Sequence, residues 1–199
     1  MLSVAGDLAG ALSRLEAMLA RAGGAIVPVL HQGIDEPEVA RLLDGVGLAP
    51  TSEVVAWFGW HDGAGGPGMS SMVIELVPGG EFYDLAYLCG EYVTTRSIAA
   101  EVAAMPGVPF SAEQRWPVSW FPLLRLFGKG YLAVDLAGGE GSVSPVHVVW
   151  HDDDPERRAR VAWPSVAAFV ESVIGRFEAG VYSVDGDGIV QGPTIDFPE

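Results

Sequence analysis

A single cysteine, Cys89, stands among 199 residues. That excludes an intramolecular disulfide and a cysteine-built zinc centre. Its neighbours Leu85, Ala86, Tyr87 and Leu88 supply neither base nor cation to generate a thiolate, so a buried, inert thiol is expected. Positive charge is also scarce. Eleven basic residues, ten of them arginine, face 26 acidic ones, for a net charge of −15 at pH 7. A surface of that sign repels nucleic-acid phosphates, which are bound by neutralising them with Lys and Arg. It either attracts a basic protein partner and speeds the encounter, or serves solubility alone. Long apolar runs are missing too. None approaches the roughly 18–20 residues of a membrane helix, and Asp7, Arg14 and Glu16 interrupt the first 22 residues where a signal peptide would be apolar. A cytoplasmic protein without nucleic-acid or membrane partners is the expectation.

Catalytic signatures are likewise absent. The chain has no G-x-S-x-G elbow, the glycine-rich residues 63–68 carry no Walker lysine, and no Rossmann fingerprint occurs. His31, His61, His147 and His151 are scattered, with no recognisable acid–base relation. No catalytic residue and no cofactor is predicted.

What is present is apolar residue in quantity, 49% of the chain, enough at this length for one domain with a sizeable core. Residues 116–163 predict an antiparallel meander: Val-, Leu- and aromatic-rich runs separated by turn residues. Gly128-Lys129-Gly130 is expected to close its first hairpin and residues 138–141 its second. The charged run 152–158 makes a third connection into a strand ending at Trp163, and Pro164-Ser165 opens a helix with Val166, Phe169, Val170, Val173 and Phe177 inward.

Before the meander, Leu8, Leu12, Leu15 and Leu19 recur at helical spacing within residues 7–22. Residues 25–30, interrupted by Pro28, predict an extended connector or edge strand. Asp35 opens a second helix, carrying Val39, Leu42, Leu43 and Val46. A third begins at residues 50–52 with Val54, Val55 and Phe58 inward. A strand is expected at 71–77, then a helix over 82–105, broken near Gly90 or at 92–95. A terminal hairpin around Asp185-Gly186 precedes a loosely held tail. The fold class predicted is α+β: a single domain over 1–199, core about 37–178, with a central mostly antiparallel sheet flanked by helices and a hairpin and tail at 180–199.

The order of these pieces resembles the SUKH superfamily. Leu48-Ala49-Pro50-Thr51-Ser52-Glu53, then Trp57-Phe58 and His61-Asp62-Gly63, is similar to its "LP-x-S/D … hydrophobic … N/D-G" helix. Trp120-Phe121-Pro122 resembles its "W-x-P-hydrophobic" entry to the sheet, and residues 130–135 its "G-x-x-hydrophobic-x-hydrophobic-D" strand. Gly141-Ser142-Val143, followed by Val148-Val149-Trp150, resembles its "G-x-V" strand. Residues 161–170 resemble its closing "A-x-S-hydrophobic-x-x-F" helix. The resemblance implies a non-enzymatic protein-binding domain, an immunity protein that blocks a polymorphic bacterial toxin. A basic toxin domain is the partner expected, met by an acidic surface. An intracellular scaffold or regulator is the second reading. A metal-dependent enzyme using His151 with Asp135 or Asp152 is the third.

Each chemical candidate has a plainer counterpart. Trp57 and Trp60 share a helical face beside His61 and Asp62, so Trp60 and Asp62 are candidate partner-binding residues, or the tryptophans simply fill the core and its edge. Asp152, Asp153 and Asp154 form an acidic corner, a second candidate contact surface. With His151 they suggest a divalent-metal site, but consecutive turn residues splay apart and a solvated turn is preferred. Asp135 is expected to fix its turn. Asp185-Gly186-Asp187 begins like a calcium loop, yet its twelfth residue is Asp196 rather than Glu, and a hairpin turn is the better reading.

Overall fold

Strand-forming apolar runs give a sheet in which each strand pairs with the next. The computed structural model describes residues 4–66, 70–127 and 129–195. Its main sheet runs in order β1 (Glu75–Val77), β2 (Gly80–Glu81), β3 (Trp120–Leu126), β4 (Gly130–Asp135) and β5 (Val146–Trp150). Every neighbouring pair is antiparallel. The helices are α1 (Val4–Ala22), α2 (Glu36–Asp44), α3 (Ser52–Trp60), α4 (Leu85–Ala103), α5 (Ala112–Arg115), α6 (Pro155–Arg158) and α7 (Val166–Glu178). Strands β6 (Ser183–Val184) and β7 (Val190–Gln191) form the small terminal hairpin. This is the expected α+β, single-domain arrangement.

The central strands are buried almost residue by residue because both sheet faces are covered. On one face, Trp116 at the end of α5 meets Trp120 and Tyr131 edge-on at 6.3 and 5.4 Å, with α4 packed beside β3. Leu124, Leu132, Val134 and Val148, all fully buried, join one continuous core with α1, α3 and α7. The Leu8, Leu12, Leu15 and Leu19 stripe of α1 lies inside that core as expected. Each such leucine contributes about 1.5–3 kcal/mol by burial.

Sequence-predicted helix starts hold where a side chain caps them. Asp35 accepts the Glu38 N–H at 3.0 Å, Thr51 the Val54 N–H at 3.3 Å, and Ser165 the Ala168 N–H at 3.0 Å. Other expectations need correction. Residues 27–29 form a 3₁₀ turn, with only Leu30 bridging to Ala64. The strand predicted at 71–77 begins as a 3₁₀ turn over Ser71–Ile74, capped by Ser70, and is extended only at Glu75–Val77. Helix α4 is unbroken; Tyr92 turns inward to reach the Val118 carbonyl at 2.8 Å, and Thr94 bonds back to the Gly90 carbonyl at 2.9 Å. The strand expected to end at Trp163 is reduced to a single Val146–Trp163 bridge. Asp154 caps α6 immediately before it and spends those residues on helix. Helix α5, closed by a Ser111–Gln114 capping box, was not anticipated. The first-hairpin residue Gly128, the loop residues 67–69 and the tail residues 196–199, with the calcium-loop position Asp196, lie outside the described residues.

Candidate functional site

Helices α2 and α3 meet through a turn, and the outward face of α3 is unusually apolar. In α3 every residue but Ser52 and Glu53 is apolar or glycine. Val54, Trp57 and Phe58 go to the core, which leaves Val55 and Ala56 half-buried on the other side. Ala40 of α2 and Ala49-Pro50 of the turn complete an apolar floor. The result is a groove of about 490 Å³, bordered by Glu36 at the start of α2 and Glu140 from the β4–β5 loop. A second depression shares Ala40, Ala49 and Pro50 and extends the concavity toward Arg41 and Asp44. Arg41 is held by Glu38 at 2.7 and 2.6 Å, so the charge it brings is already matched.

Three bonds hold the loop that carries Glu140 over α3, one of them between the Thr51 and Ser144 hydroxyls at 2.5 Å. The Gly141 N–H donates to Ser52 Oγ at 3.2 Å. The Ser144 N–H donates to Glu53 at 2.6 Å. Glu53 is fully buried and also accepts the N–H groups of Val166 and Ala167, at 3.1 and 3.0 Å, in the first turn of α7. The three N–H donors, two of them at the positive end of the helix, satisfy oxygens that burial cuts off from water. Three pieces quoted for the family resemblance, at 48–53, 141–143 with the adjoining Ser144, and 161–170, thus meet around one side chain.

The aromatic candidates sit at the C-terminal end of α3. Trp60 is half-buried, stacked on Phe82 at 5.9 Å, and its indole N–H donates to Glu16 at 2.9 Å. Trp57, Trp116, Trp120 and Trp163 are buried, and Trp150 is half-buried. Asp62 accepts the Leu85 N–H at 2.8 Å, at the start of α4. Burial raises its pKa, and the Leu85 bond opposes that rise. The adjacent Gly63 has φ of 78°, and a Cβ there would lie 2.4 Å from the Asp84 nitrogen. Asp62-Gly63 therefore joins α3 to α4 by geometry that an L side chain at residue 63 would break.

The acidic corner lies between β5 and α6. Asp154 accepts the Arg157 N–H at 2.8 Å. Asp153 accepts the Trp150 N–H at 3.1 Å and pairs with Arg157 at 3.2 Å. Asp152 and Asp154 are exposed and Asp153 is half-buried. The structure brings Trp60 and Asp62 to one end of α3 and places Asp152, Asp153 and Asp154 on a separate element. Sequence reasoning missed Glu36, Ala40, Val55 and Glu140. The available signal was the apolar outer side of α3, where a surface helix normally turns polar.

The residues weighed for chemistry have structural partners. His147 is buried, stacked on Trp120 at 4.1 Å, with Nδ1 3.0 Å from the Arg160 carbonyl. Burial lowers its pKa. Asp135 accepts the Ala137 N–H at 2.9 Å and fixes its turn. Asp185 accepts the N–H groups of Asp187 and Ile189, each at 2.9 Å, and these backbone donors hold its carboxyl low. Among the described residues, no three His, Cys, Asp or Glu side chains converge as a metal centre requires, and no helix is long and apolar enough to cross a membrane. No family model matches the chain, and no curated protein matches it significantly.

Proposed function

We propose that this chain is a non-enzymatic protein-binding domain of the SUKH kind, an immunity protein that neutralises a bacterial toxin. The observation that carries this reading is the acidic-edged apolar groove between α2 and α3, on a chain of net charge −15. An apolar floor offers area to desolvate, and Glu36 and Glu140 at its edge favour a basic partner while repelling acidic ones. The convergence of the resembling segments on Glu53 supports the family reading. Asp152, and the exposed part of Trp60, supply further acidic and aromatic surface for a large partner.

The test is protection. Co-expression with a toxin domain encoded beside this chain should restore growth, and a Glu36→Lys, Glu140→Lys double variant should lose protection while staying folded. Equal protection by the double variant would remove the groove from the interface. Recovery of an endogenous cytoplasmic partner instead of a toxin would favour the scaffold or regulator reading.

A further inference from the structure

The last residue of α6 buries a positive charge held by backbone carbonyls. Arg158 is 4% exposed. Its guanidinium donates to three backbone carbonyls, those of Asp153, Arg115 and His151, at 2.8, 3.2 and 2.6 Å. A guanidinium has five N–H donors, so these three bonds leave donors over. Arg115 lies nearby with its guanidinium 5.7 Å from the centre of the Phe110 ring. Among the described residues, no carboxylate reaches ion-pair distance of Arg158 or Arg115. Burial, and next the charge of Arg115, lower the pKa of Arg158. Burying a cation is expensive, and here a second cation stands beside it, while the charges of Asp153, Asp152 and Asp154 oppose the shift from beyond ion-pair distance.

Both arginines line one cavity of about 190 Å³ on the α4–α5 side of the sheet. Its remaining floor is Ala99, Trp116, Tyr131 and Val149, all buried. Its mouth is at Thr94, Ile98 and His151, all exposed. The Tyr131 hydroxyl is committed to Glu91 at 2.7 Å, which puts a negative charge beyond that end of the floor.

We propose that this cavity binds a small monocarboxylate, one anionic group on a compact apolar body. The planar guanidinium fork matches a carboxylate in shape and charge. The apolar floor suits a hydrocarbon body and offers little to a bare, hydrated phosphate. Glu91 disfavours a second carboxylate on the same ligand. At about 30 Å³ per water, the volume is that of roughly six waters, which suits a single-ring acid.

The test is a titration of the intact protein with benzoate, its neutral amide benzamide, and inorganic phosphate, followed by backbone and indole nuclear magnetic resonance. Benzoate should give saturable shifts at Thr95, Val149 and the Trp116 indole, with benzamide at least about tenfold weaker. Arg115→Gln should weaken benzoate about tenfold or more without lowering the melting temperature. Ile98→Trp, at the mouth and away from the buried floor, should block entry and serves as the second variant if Arg115→Gln unfolds. No saturable shift, equal binding of benzamide, phosphate binding in place of benzoate, or unchanged affinity in both variants would each overturn the proposal.

Discussion

The Glu53 carboxylate accepts the backbone N–H of Ser144 at 2.6 Å across 91 residues of sequence. The same group takes the first two N–H groups of α7, so one buried side chain ties together α3, the β4–β5 loop and the closing helix. Removing it orphans three donors at about 1–3 kcal/mol each. Glu53→Ala should therefore lower the unfolding free energy by about 3 kcal/mol or more, and Glu53→Gln by less, since its amide oxygen still accepts. Urea denaturation measures both. An unchanged midpoint in Glu53→Ala would refute the role assigned here.

Glu75 and Glu81 face each other across β1 and β2, each 7% exposed. Burial raises the Glu75 pKa from 4.5, the Gly79 N–H opposes this, and the facing Glu81 adds to it. A raised carboxyl pKa means the folded state holds the proton more tightly. The linked stability is fully present below the unfolded value and lost as pH rises through the folded one. Glu75→Gln should thus gain on the parent protein as pH goes from about 4 to 7. Melting temperatures across that range decide it, and a constant difference would contradict the sign.

Burial pushes the Cys89 thiol up to about 11, and its Sγ lies 3.7 Å from the Leu42 carbonyl. At pH 8 only about a thousandth of it is thiolate. A colorimetric disulfide reagent should react slowly with the native protein and quickly in urea. Comparable rates would mean that the site opens readily.

The meander, the α1 stripe and the capped helix starts were legible because each depends on local spacing and a nearby side chain. The unbroken α4 was not. Tyr92, Val93, Thr94 and Thr95 disfavour helix by propensity, and tertiary contacts override them: the Tyr92 hydroxyl reaches the Val118 carbonyl. The Asp152–Arg158 corner was half legible. Its charges are plain in sequence, but that Arg158 turns inward onto three carbonyls is decided by the packing of α6 against α5. The groove was least legible, because Glu36, Val55 and Glu140 come from three separate segments joined through Glu53 and Ser52. Asp62, singled out as a surface acid, spends one carboxylate oxygen on the Leu85 N–H.

Charge at the groove should set both partner choice and salt sensitivity. Exposed acids attract over about 8 Å at physiological salt, and at 0.5 M salt that range shrinks to about 4 Å. Charge reversal at Glu36 and Glu140 should slow association more than it speeds dissociation, as read by surface-based binding kinetics. An effect confined to dissociation would argue that these acids are buried in the interface rather than at its rim.

The most direct measurement is capture by the tagged protein from the producing cell and its competitors, at low salt and at 0.5 M salt. Each captured protein is then expressed alone to score toxicity. The account predicts one basic protein, toxic by itself, neutralised by this chain, and released by high salt or by Glu36→Lys with Glu140→Lys. Capture of no toxic protein, or of one held equally well by the charge-reversed variant, would contradict it.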